Sequence, residues 1–265
     1  MKRLAWATDI HLNFLTDAQI AAFCRTVSAG EPDVLLIAGD ISEAPSLENH
    51  LRILAGHLRI PIYFVLGNHD FYRSSIGEVR ANARALGEGS DLHWLPSSGV
   101  VPLTESTALV GHDSWGDGRL GNARRSPIVL NDFLLIEDLY AKGMDGLLAR
   151  LAALGDEAAD HFERCLPQAL ATHRHVVLLA HVPPFPEACL HEGKIAGDDW
   201  LPFFTCHAVG RVLLRIMGEH PDRTMTVLCG HTHTPAVVKM LSNLEIRTGG
   251  AEYGSPQLQE VIVVE

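Results

Sequence analysis

Seven side chains of the metal-binding type and one further histidine occur in five short segments, each at the end of an apolar run. The segments are Asp9-Ile10-His11, Gly39-Asp40, Gly67-Asn68-His69-Asp70, His181 and Gly230-His231-Thr232-His233. Carboxylate, amide oxygen and imidazole ligands suit Mn, Fe or Zn, whereas structural zinc sites rely on thiolates. The set therefore indicates an active site built around bound metal.

The spacing within the segments predicts how they converge. Asp9 and His11 are two residues apart, as are His231 and His233, and in an extended chain such pairs project to the same side. Each segment follows a predicted buried strand, so we expect the side chains to meet along one edge of a sheet. The glycines before Asp40, Asn68 and His231 are expected where the chain turns sharply at a strand end.

Hydrophobic periodicity predicts the elements that carry these segments. Continuous apolar strands alternate with amphipathic helices, which indicates a sheet buried on both faces. We expect strands at 4–8, 34–38, 61–66, 92–95, 100–103, 107–111, 175–180 and 225–229, and helices at 17–29, 47–58, 74–86, 145–170 and 209–217. Gly155 and Pro167 are predicted to divide or end the fourth helix. Strands at 236–240, 245–248 and 259–264 are predicted to close a second sheet.

These elements predict an α/β fold, a four-layer α/β/β/α sandwich of two mixed sheets flanked by helices. With 265 residues, of which 47% are hydrophobic, the chain can bury a large core, and we expect one domain over 1–265.

Charge and cysteine content restrict the partners. The formal net charge of −11 does not favour nucleic acid as a partner, because binding to a phosphate backbone needs clustered Lys and Arg. Five cysteines without a CxxC pair favour a reducing compartment. No signal-peptide core or membrane-length apolar run occurs, so we expect a cytoplasmic protein with no membrane partner.

The motifs D-x-H, GD, GNHD, a lone His and GHTH, in this order over residues 9–233, resemble the calcineurin-like metallophosphoesterase superfamily. The resemblance implies two transition-metal ions bridged by a hydroxide. One ion would be held by Asp9, His11, Asp40 and His233, and the other by Asp40, Asn68, His181 and His231. His69 would bind no metal and face the substrate.

The residue types fit this chemistry. Two cations about 3.5–4 Å apart can clamp the attacking and departing oxygens at phosphorus and lower the pKa of a bridging water. By formal count, Asp9, Asp40 and one hydroxide leave about one positive charge on two dications, which attracts an anionic ester. His69 is the candidate general acid or transition-state donor. Asp70, its neighbour, is assigned to the catalytic group as a residue that orients the site.

The sequence restricts the substrate class less than it restricts the metal ligands. Phosphoprotein phosphatases of the superfamily carry GDxVDRG and GNHE, but this chain reads Gly39-Asp40-Ile41-Ser42-Glu43 and has Asp70, which disfavours that activity. We expect hydrolysis of a small phosphoester, with a diester ahead of a monoester or nucleotide. The alternatives are a nuclease of the same superfamily and a non-catalytic scaffold, although scaffolds usually lose ligands that this chain keeps.

The loop at 111–131 is a candidate border of the substrate site. Arg119 could grip a phosphate oxygen, Trp115 could stack on an organic group, and Asp117 lies between them. The alternative interpretation is a structural loop in which Trp115 fills the base and Arg119 is solvated. His191 and His207, in the irregular segment after His181, are further candidates for the pocket.

Overall fold

The computed structural model describes residues 1–140 and 142–265. Its strands are β1 (Lys2–Ala7), β2 (Val34–Ala38), β3 (Ile62–Val65), β4 (Leu92–Trp94), β5 (Val101–Pro102), β6 (Thr107–His112), β7 (His175–Ala180), β8 (Leu190–His191), β9 (Lys194–Ile195), β10 (Thr224–Cys229), β11 (Ala236–Leu241), β12 (Leu244–Thr248) and β13 (Leu258–Val264). Its helices are α1 (Asp17–Ala29), α2 (Ala44–Leu58), α3 (Ile76–Leu86), α4 (Leu95–Ser98), α5 (Asp132–Leu135), α6 (Gly143–Thr172), α7 (Leu201–Phe204) and α8 (His207–Glu219).

The strands form two large mixed sheets and one short hairpin. The first sheet has the order β13-β1-β2-β3-β4, in which β1 to β4 are parallel and β13 is antiparallel to β1. The second has the order β11-β12-β10-β7-β6-β5, with a parallel centre and antiparallel β11 and β5 at its edges. Strands β8 and β9 pair only with each other.

The two sheets pack face to face, and helices cover their outer faces. Leu36 on β2 belongs to the apolar cluster between the sheets, together with Leu179 and Leu228 of the second sheet. Its neighbours Leu35 and Ile37 point the other way, into the cluster under α1, α2 and α3. Because successive strand residues face opposite layers, burial on both faces requires the continuous apolar runs seen in the sequence. Helices α6 and α8 cover the second sheet, and the predicted four-layer fold is confirmed.

Strand β13 departs from its predicted position. It was expected to close the second sheet, but it lies at the edge of the first, with Ile262 paired to Leu4 and Val264 to Lys2. Its apolar run fits the edge of either sheet, so the hydrophobic pattern could identify a strand but not its partner.

Helix α6 also differs from its prediction, because it runs unbroken through Gly155 and Pro167. A Cβ at Gly155 would lie 2.5 Å from the Cβ of Asp117, so this glycine provides space for a loop that packs on the helix. A row of buried side chains that includes Ala158, Phe162 and Leu166 fixes the helix on the second sheet. Tertiary packing thus outweighs the local cost of both residues.

Within residues 1–140 and 142–265, no helix combines the length and apolar character that a membrane span needs.

Candidate metal centre

The site lies where parallel strands of both sheets end. Asp9 and His11 follow β1, Asp40 follows β2, and Asn68 and His69 follow β3. The second sheet supplies His181 after β7, and His231 and His233 after β10. Hydrogen bonds join the segments within each sheet: the Asp9 N–H donates to the Gly39 carbonyl (3.0 Å) and the Gly230 N–H to the His181 carbonyl (2.9 Å). The predicted convergence at strand ends is therefore present in the structure.

The backbone of the ligand segments is not extended as the sequence pattern predicted. Five non-glycine residues have a left-handed φ, namely Asp9 (51°), His11 (39°), Asp40 (51°), His231 (72°) and His233 (56°). This conformation is uncommon for residues with a Cβ, and it costs of order 1–3 kcal/mol each when the surrounding structure must impose it. The paired side chains still share one pocket, but tight turns place them there, not extended chain.

Glycines permit this crowding in two different ways. Gly39 has a φ of +89°, which suits a residue without a Cβ. Gly67 and Gly230 are needed for close approach instead: a Cβ on Gly67 would lie 2.1 Å from Asp40 Oδ1, and one on Gly230 would lie 2.0 Å from Asp9 Oδ2. The two glycines thus let carboxylate oxygens lie directly against the backbone.

Asp9, His11, Asp40 and His233 form one compact ligand group. Their ligating atoms all lie within 4.8 Å of one another. His233 Nε2 is 3.3 Å from Asp9 Oδ1 and 3.2 Å from His11 Nε2, and the latter is 3.8 Å from Asp40 Oδ2. Three of the four side chains are buried. Two carboxylates and two imidazoles at this separation can hold one divalent cation.

Asn68, His181 and His231 form a second group beside Asp40. Asn68 Oδ1 is 3.1 Å from His181 Nε2 and 3.0 Å from His231 Nδ1. His181 Nε2 is also 3.4 Å from Asp40 Oδ1. Asp40 therefore presents one oxygen to each group, which is the position that a bridging ligand requires.

Hydrogen bonds on the outer side of these three ligands determine which of their atoms point to the centre of the group. His181 Nδ1 donates to the Ala38 carbonyl (2.8 Å), and His231 Nε2 donates to the Phe203 carbonyl (3.1 Å). In a neutral imidazole the other nitrogen then carries a lone pair. Asn68 Nδ2 donates to Asp132 Oδ1 (2.8 Å), which turns Asn68 Oδ1 inward.

The inward atoms of the second group are thus all electron-pair donors. With both rings neutral, Asn68 Oδ1 faces the lone pairs of His181 Nε2 and His231 Nδ1 with no hydrogen between them, so these contacts are repulsive. A cation at their centre converts this repulsion into coordination, and the outer hydrogen bonds are those that metal ligands typically make. The donor set therefore fits a bound divalent metal.

Protonation states agree with this interpretation. Burial lowers the pKa of His11 to about 3 and that of His231 to about 3, so both imidazoles are neutral near pH 7. Burial and the charge of Asp9 hold the pKa of Asp40 well above its usual range. Burial has the same tendency at Asp9, but the hydrogen bond from His233 and the surrounding imidazoles outweigh it and lower the pKa of Asp9. A metal ion would favour the ionised form of both carboxylates.

His69 lies beside the two ligand groups, at the surface of the site, and is not enclosed by them. Its side chain is 15% exposed, and its Nε2 is 3.9 Å from Asp40 Oδ2. Its backbone N–H donates to Asp40 Oδ1 (2.9 Å), and its ring packs on Tyr72 with centroids 4.4 Å apart. Burial lowers the pKa of His69 to about 4. The imidazole is thus held at the edge of an open cleft.

Asp70 lies behind the site and does not face the cleft. The residue is fully buried. Its Oδ1 accepts from the N–H groups of Ile41 (2.9 Å) and Ser42 (2.8 Å), and its Oδ2 accepts from Gly67 N–H (2.8 Å). These contacts tie the Asp40 segment to the Asn68 segment, which corresponds to an orienting role.

The structure places Trp115, Asp117 and Arg119 away from the cleft lining. Trp115 is buried in the core with its ring 5.4 Å from that of Phe71. Asp117 Oδ2 accepts from the Ala208 N–H (2.8 Å) and from Arg119 (3.0 Å), and Arg119 also pairs with Asp156 (2.7 Å). These contacts correspond to the structural-loop interpretation of residues 111–131.

The cleft over the ligands has a volume of about 400 Å³. Its wall includes three aromatic residues that ligand motifs did not identify, Tyr72, Phe204 and Tyr253. His191 also lies in this wall, as the sequence suggested, whereas His207 lines a different cavity.

Asp132 and Tyr253 are two residues of this cleft that contact the ligands and that sequence reasoning missed. Asp132 accepts from Asn68 Nδ2, and Tyr253 packs over His11 with ring centroids 4.5 Å apart. Neither residue belongs to a motif, and each reaches the site from a distant part of the chain.

Comparison with proteins of known structure gives the same fold. The chain matches a phosphopantetheinyl hydrolase from Mycobacterium tuberculosis with a TM-score of 0.64 and 16% identity, over 93% of this chain and 89% of that one. It matches a dimetal phosphatase from Danio rerio with a TM-score of 0.59 and 13% identity, over 94% and 87%. A protein from Thermus thermophilus matches with a TM-score of 0.56 and 12% identity, over 94% and 89%.

Sequence comparison identifies the family of the chain. A bovine transmembrane protein with a metallophosphoesterase domain is 38% identical over 79 residues, which make up 28% of this chain and 18% of the length of that relative. The pattern of the calcineurin-like phosphoesterase family matches residues 2–235, which include every ligand described above. The chain therefore belongs to the calcineurin-like phosphoesterases, a family of metal-dependent phosphoesterases.

Proposed function

We propose that the protein hydrolyses a small phosphodiester at a dinuclear metal centre in this cleft. The observation that carries the proposal is the convergence of four lone pairs, from Asp40, Asn68, His181 and His231, beside the compact group of Asp9, His11, Asp40 and His233. A scaffold without catalytic function has no need of this arrangement, which is electrostatically unfavourable without cations.

The first group would hold one ion and the second group the other, with Asp40 shared. Nitrogen and carboxylate ligands of this kind suit Mn, Fe or Zn. When bound, the two ions would supply a water of lowered pKa as the nucleophile and would neutralise the charge that develops on the phosphorus oxygens.

His69 is proposed to act on the leaving group. Its ring lies in the wall of the cleft, next to Asp40 but outside both ligand groups. From there the ring can hydrogen-bond the charge that develops on the departing alkoxide, and its protonated form can donate a proton to that oxygen. Burial lowers the pKa of His69 to about 4, and the negative charge of a bound ester would favour the protonated form. The packing of its ring on Tyr72 holds the imidazole in place for this transfer.

The lining of the cleft supports a diester over a monoester. Among the described residues that line it, none is Lys or Arg. Arginine is over-represented where a phosphate group is bound by charged hydrogen bonds. A lining without Lys or Arg therefore suits a diester, which carries one charge, better than a monoester dianion. Tyr253, Phe204 and His191 give the wall aromatic surface suited to an organic substituent, and the volume of about 400 Å³ suits a small molecule.

A substrate panel tests the proposal directly. Protein loaded separately with Mn, Fe or Zn is assayed on aryl and alkyl phosphodiesters, monoesters and nucleotides, and the metal content of each sample is measured. We expect turnover with two ions per chain and faster hydrolysis of diesters. Absence of hydrolysis from the whole panel with both ions bound would contradict the proposed function.

The role of His69 is tested in the same assay. His69→Asn should lower kcat by about 10²–10⁴-fold while both ions remain bound, because general acid catalysis contributes on that scale. His57→Asn, at an exposed histidine outside every motif, is the matched control and should retain full activity. Wild-type turnover by His69→Asn would show that another group protonates the leaving oxygen.

A further inference from the structure

A second cavity, separate from the metal centre, lies between α3 and α6. It has a volume of about 360 Å³. Helix α3 contributes Arg80 and Arg84, one turn apart, and α6 contributes Glu157 and Arg164. Its lining also includes the largely buried side chains of Trp94 and His112.

The charge of this cavity is positive although the protein is acidic. Arg80 is already neutralised, because its Nε donates to Asp113 Oδ2 (3.0 Å) and its Nη1 to Glu157 Oε1 (2.7 Å). In the described part of the chain, no carboxylate lies within 4 Å of the guanidinium of Arg84 or Arg164. Three guanidinium groups therefore face two carboxylates, and the two unpaired ones remain available to an anion.

A further hydrogen-bond donor is present at His112. The Ser114 N–H donates to His112 Nδ1 (3.1 Å), so in the neutral ring Nε2 carries the hydrogen. Burial, together with the charge of Arg80, holds the pKa of His112 well below its usual range, so the ring contributes a donor without adding charge. Arg84 lies over the Trp94 ring, 5.7 Å from its centroid, which limits the positions that the guanidinium can adopt.

We propose that this cavity is a binding site for phosphate, either as the inorganic ion or as the phosphate group of a small monoester. Arg84 and Arg164 would bind the phosphate oxygens as charged donors, and His112 would add a neutral one. Two guanidinium groups that line one cavity match a tetrahedral oxyanion better than a single cation does, because each can donate two parallel hydrogen bonds.

Trp94 provides a spectroscopic report on the cavity. Its indole N–H donates to Asp113 Oδ1 (2.9 Å), the carboxylate whose other oxygen accepts from Arg80. The same Asp113 Oδ1 also accepts from the Leu66 N–H (2.9 Å), directly before the ligand segment of β3. An anion that binds beside Arg80 and Arg84 changes the field at this indole, and the resonance can be assigned with Trp94→Phe.

The test is a titration of zinc-loaded protein with inorganic phosphate, followed by the Trp94 indole resonance and by calorimetry. We expect a saturable shift that chloride at equal ionic strength does not produce. The double variant Arg84→Ala/Arg164→Ala should weaken this binding at least about tenfold, given the strength of charged hydrogen bonds. A parallel titration with glycerol phosphate distinguishes a monoester site from one for the free ion, and tighter binding of either supports the proposal.

The matched control is Arg25→Ala/Arg174→Ala, which removes the same charge at exposed positions away from the cavity. It should bind phosphate within about twofold of the wild type, because long-range charge is screened. A shift that persists in Arg84→Ala/Arg164→Ala would place phosphate at the metal centre alone and overturn the proposal. A shift that chloride reproduces would overturn it too. Neither outcome depends on whether the protein hydrolyses an ester.

Discussion

Asn68 turns its amide oxygen toward His181, with 3.1 Å between Oδ1 and Nε2. With the His181 ring neutral, neither atom has a hydrogen to share, because His181 donates through Nδ1 to Ala38 and Asn68 donates through Nδ2 to Asp132. A metal site is thus prepared in advance by outer hydrogen bonds that leave only acceptors inside. Asp132 has a central part in this arrangement, since it also accepts from the Tyr72 hydroxyl (2.8 Å).

Replacement of Asp132 should therefore weaken the second metal position. In Asp132→Asn the new amide can present a donor to Asn68 Nδ2, which frees the Asn68 side chain to rotate. We expect affinity for one of the two ions to fall about 10–100-fold, the usual effect of losing an outer-shell partner. Titration with a competing chelator measures both ions separately.

Asp138→Asn is the matched control for this measurement, because Asp138 lies nearby in sequence but binds Arg150 and the Ile76 N–H instead. It should retain both metal affinities. If Asp132→Asn binds both ions as the wild type does, the orientation of Asn68 does not depend on Asp132.

Asp70 is expected to contribute to the stability of the folded protein and not to contact the substrate. Its carboxylate accepts three backbone N–H groups, and in Asp70→Asn one of them must face an amide donor. We expect the free energy of unfolding to fall by roughly 1–3 kcal/mol, the cost of leaving a buried donor without a partner. Urea unfolding of chelator-treated protein measures it.

His69→Asn is the comparison for Asp70, since its side chain borders the open cleft, and we expect it to cost less than about 1 kcal/mol. Wild-type stability in Asp70→Asn, combined with lost turnover, would instead indicate that Asp70 contacts the substrate.

The ligands could be predicted from the sequence because each motif is local and ends a buried strand. GNHD and GHTH place Asn68, His69, His231 and His233 within four residues of a strand end, where parallel strands of one sheet must converge. The left-handed φ of Asp9 and Asp40 could not be predicted, because Asp occurs in ordinary conformations at most positions and only the folded surroundings impose this one.

Long-range partners were the other part that the sequence did not reveal. Asp132 reaches Asn68 across 64 residues of chain, and Tyr253 reaches His11 from the connection between β12 and β13. Periodicity describes only neighbours within an element, so it contains no information on such pairs. The same reason explains why β13 was recognised as a strand but placed in the wrong sheet.

Tyr253 is expected to select the organic group of the substrate. It is 52% exposed in the free protein, its ring packs on those of His11 and Phe14, and it lines the cleft. Tyr253→Ala should raise KM for an aryl diester about 3–10-fold with little change in kcat, because one aromatic contact is worth about 0.5–1.5 kcal/mol. Tyr253→Phe should behave as the wild type.

The ratio of aryl to alkyl diester hydrolysis distinguishes stacking from general damage. Tyr140→Ala, at another exposed tyrosine, is the control and should leave the ratio unchanged. An equal rise in KM for aryl and alkyl diesters on Tyr253→Ala would mean that Tyr253 shapes the cleft without stacking on the substrate.

His112 should make the protein sensitive to acid. Burial and the charge of Arg80 hold its pKa well below the usual value, so the unfolded chain takes up a proton at a pH where the folded chain does not. The stabilising effect of the neutral ring is complete above the unfolded pKa of about 6.5 and is lost as pH falls below it. The loss reaches at most about 1.4 kcal/mol per pH unit for one such group.

His112→Asn isolates this contribution, because the amide oxygen can still accept from the Ser114 N–H that His112 Nδ1 binds. Urea unfolding of chelator-treated protein at pH 7.5, 6.5 and 5.5 gives the slope of stability against pH. Other buried histidines, among them His11 and His231, steepen that slope equally in both proteins, so the difference between them belongs to His112. We expect a shallower slope in His112→Asn below pH 6.5, and identical slopes would show that His112 can be protonated in the folded state without cost.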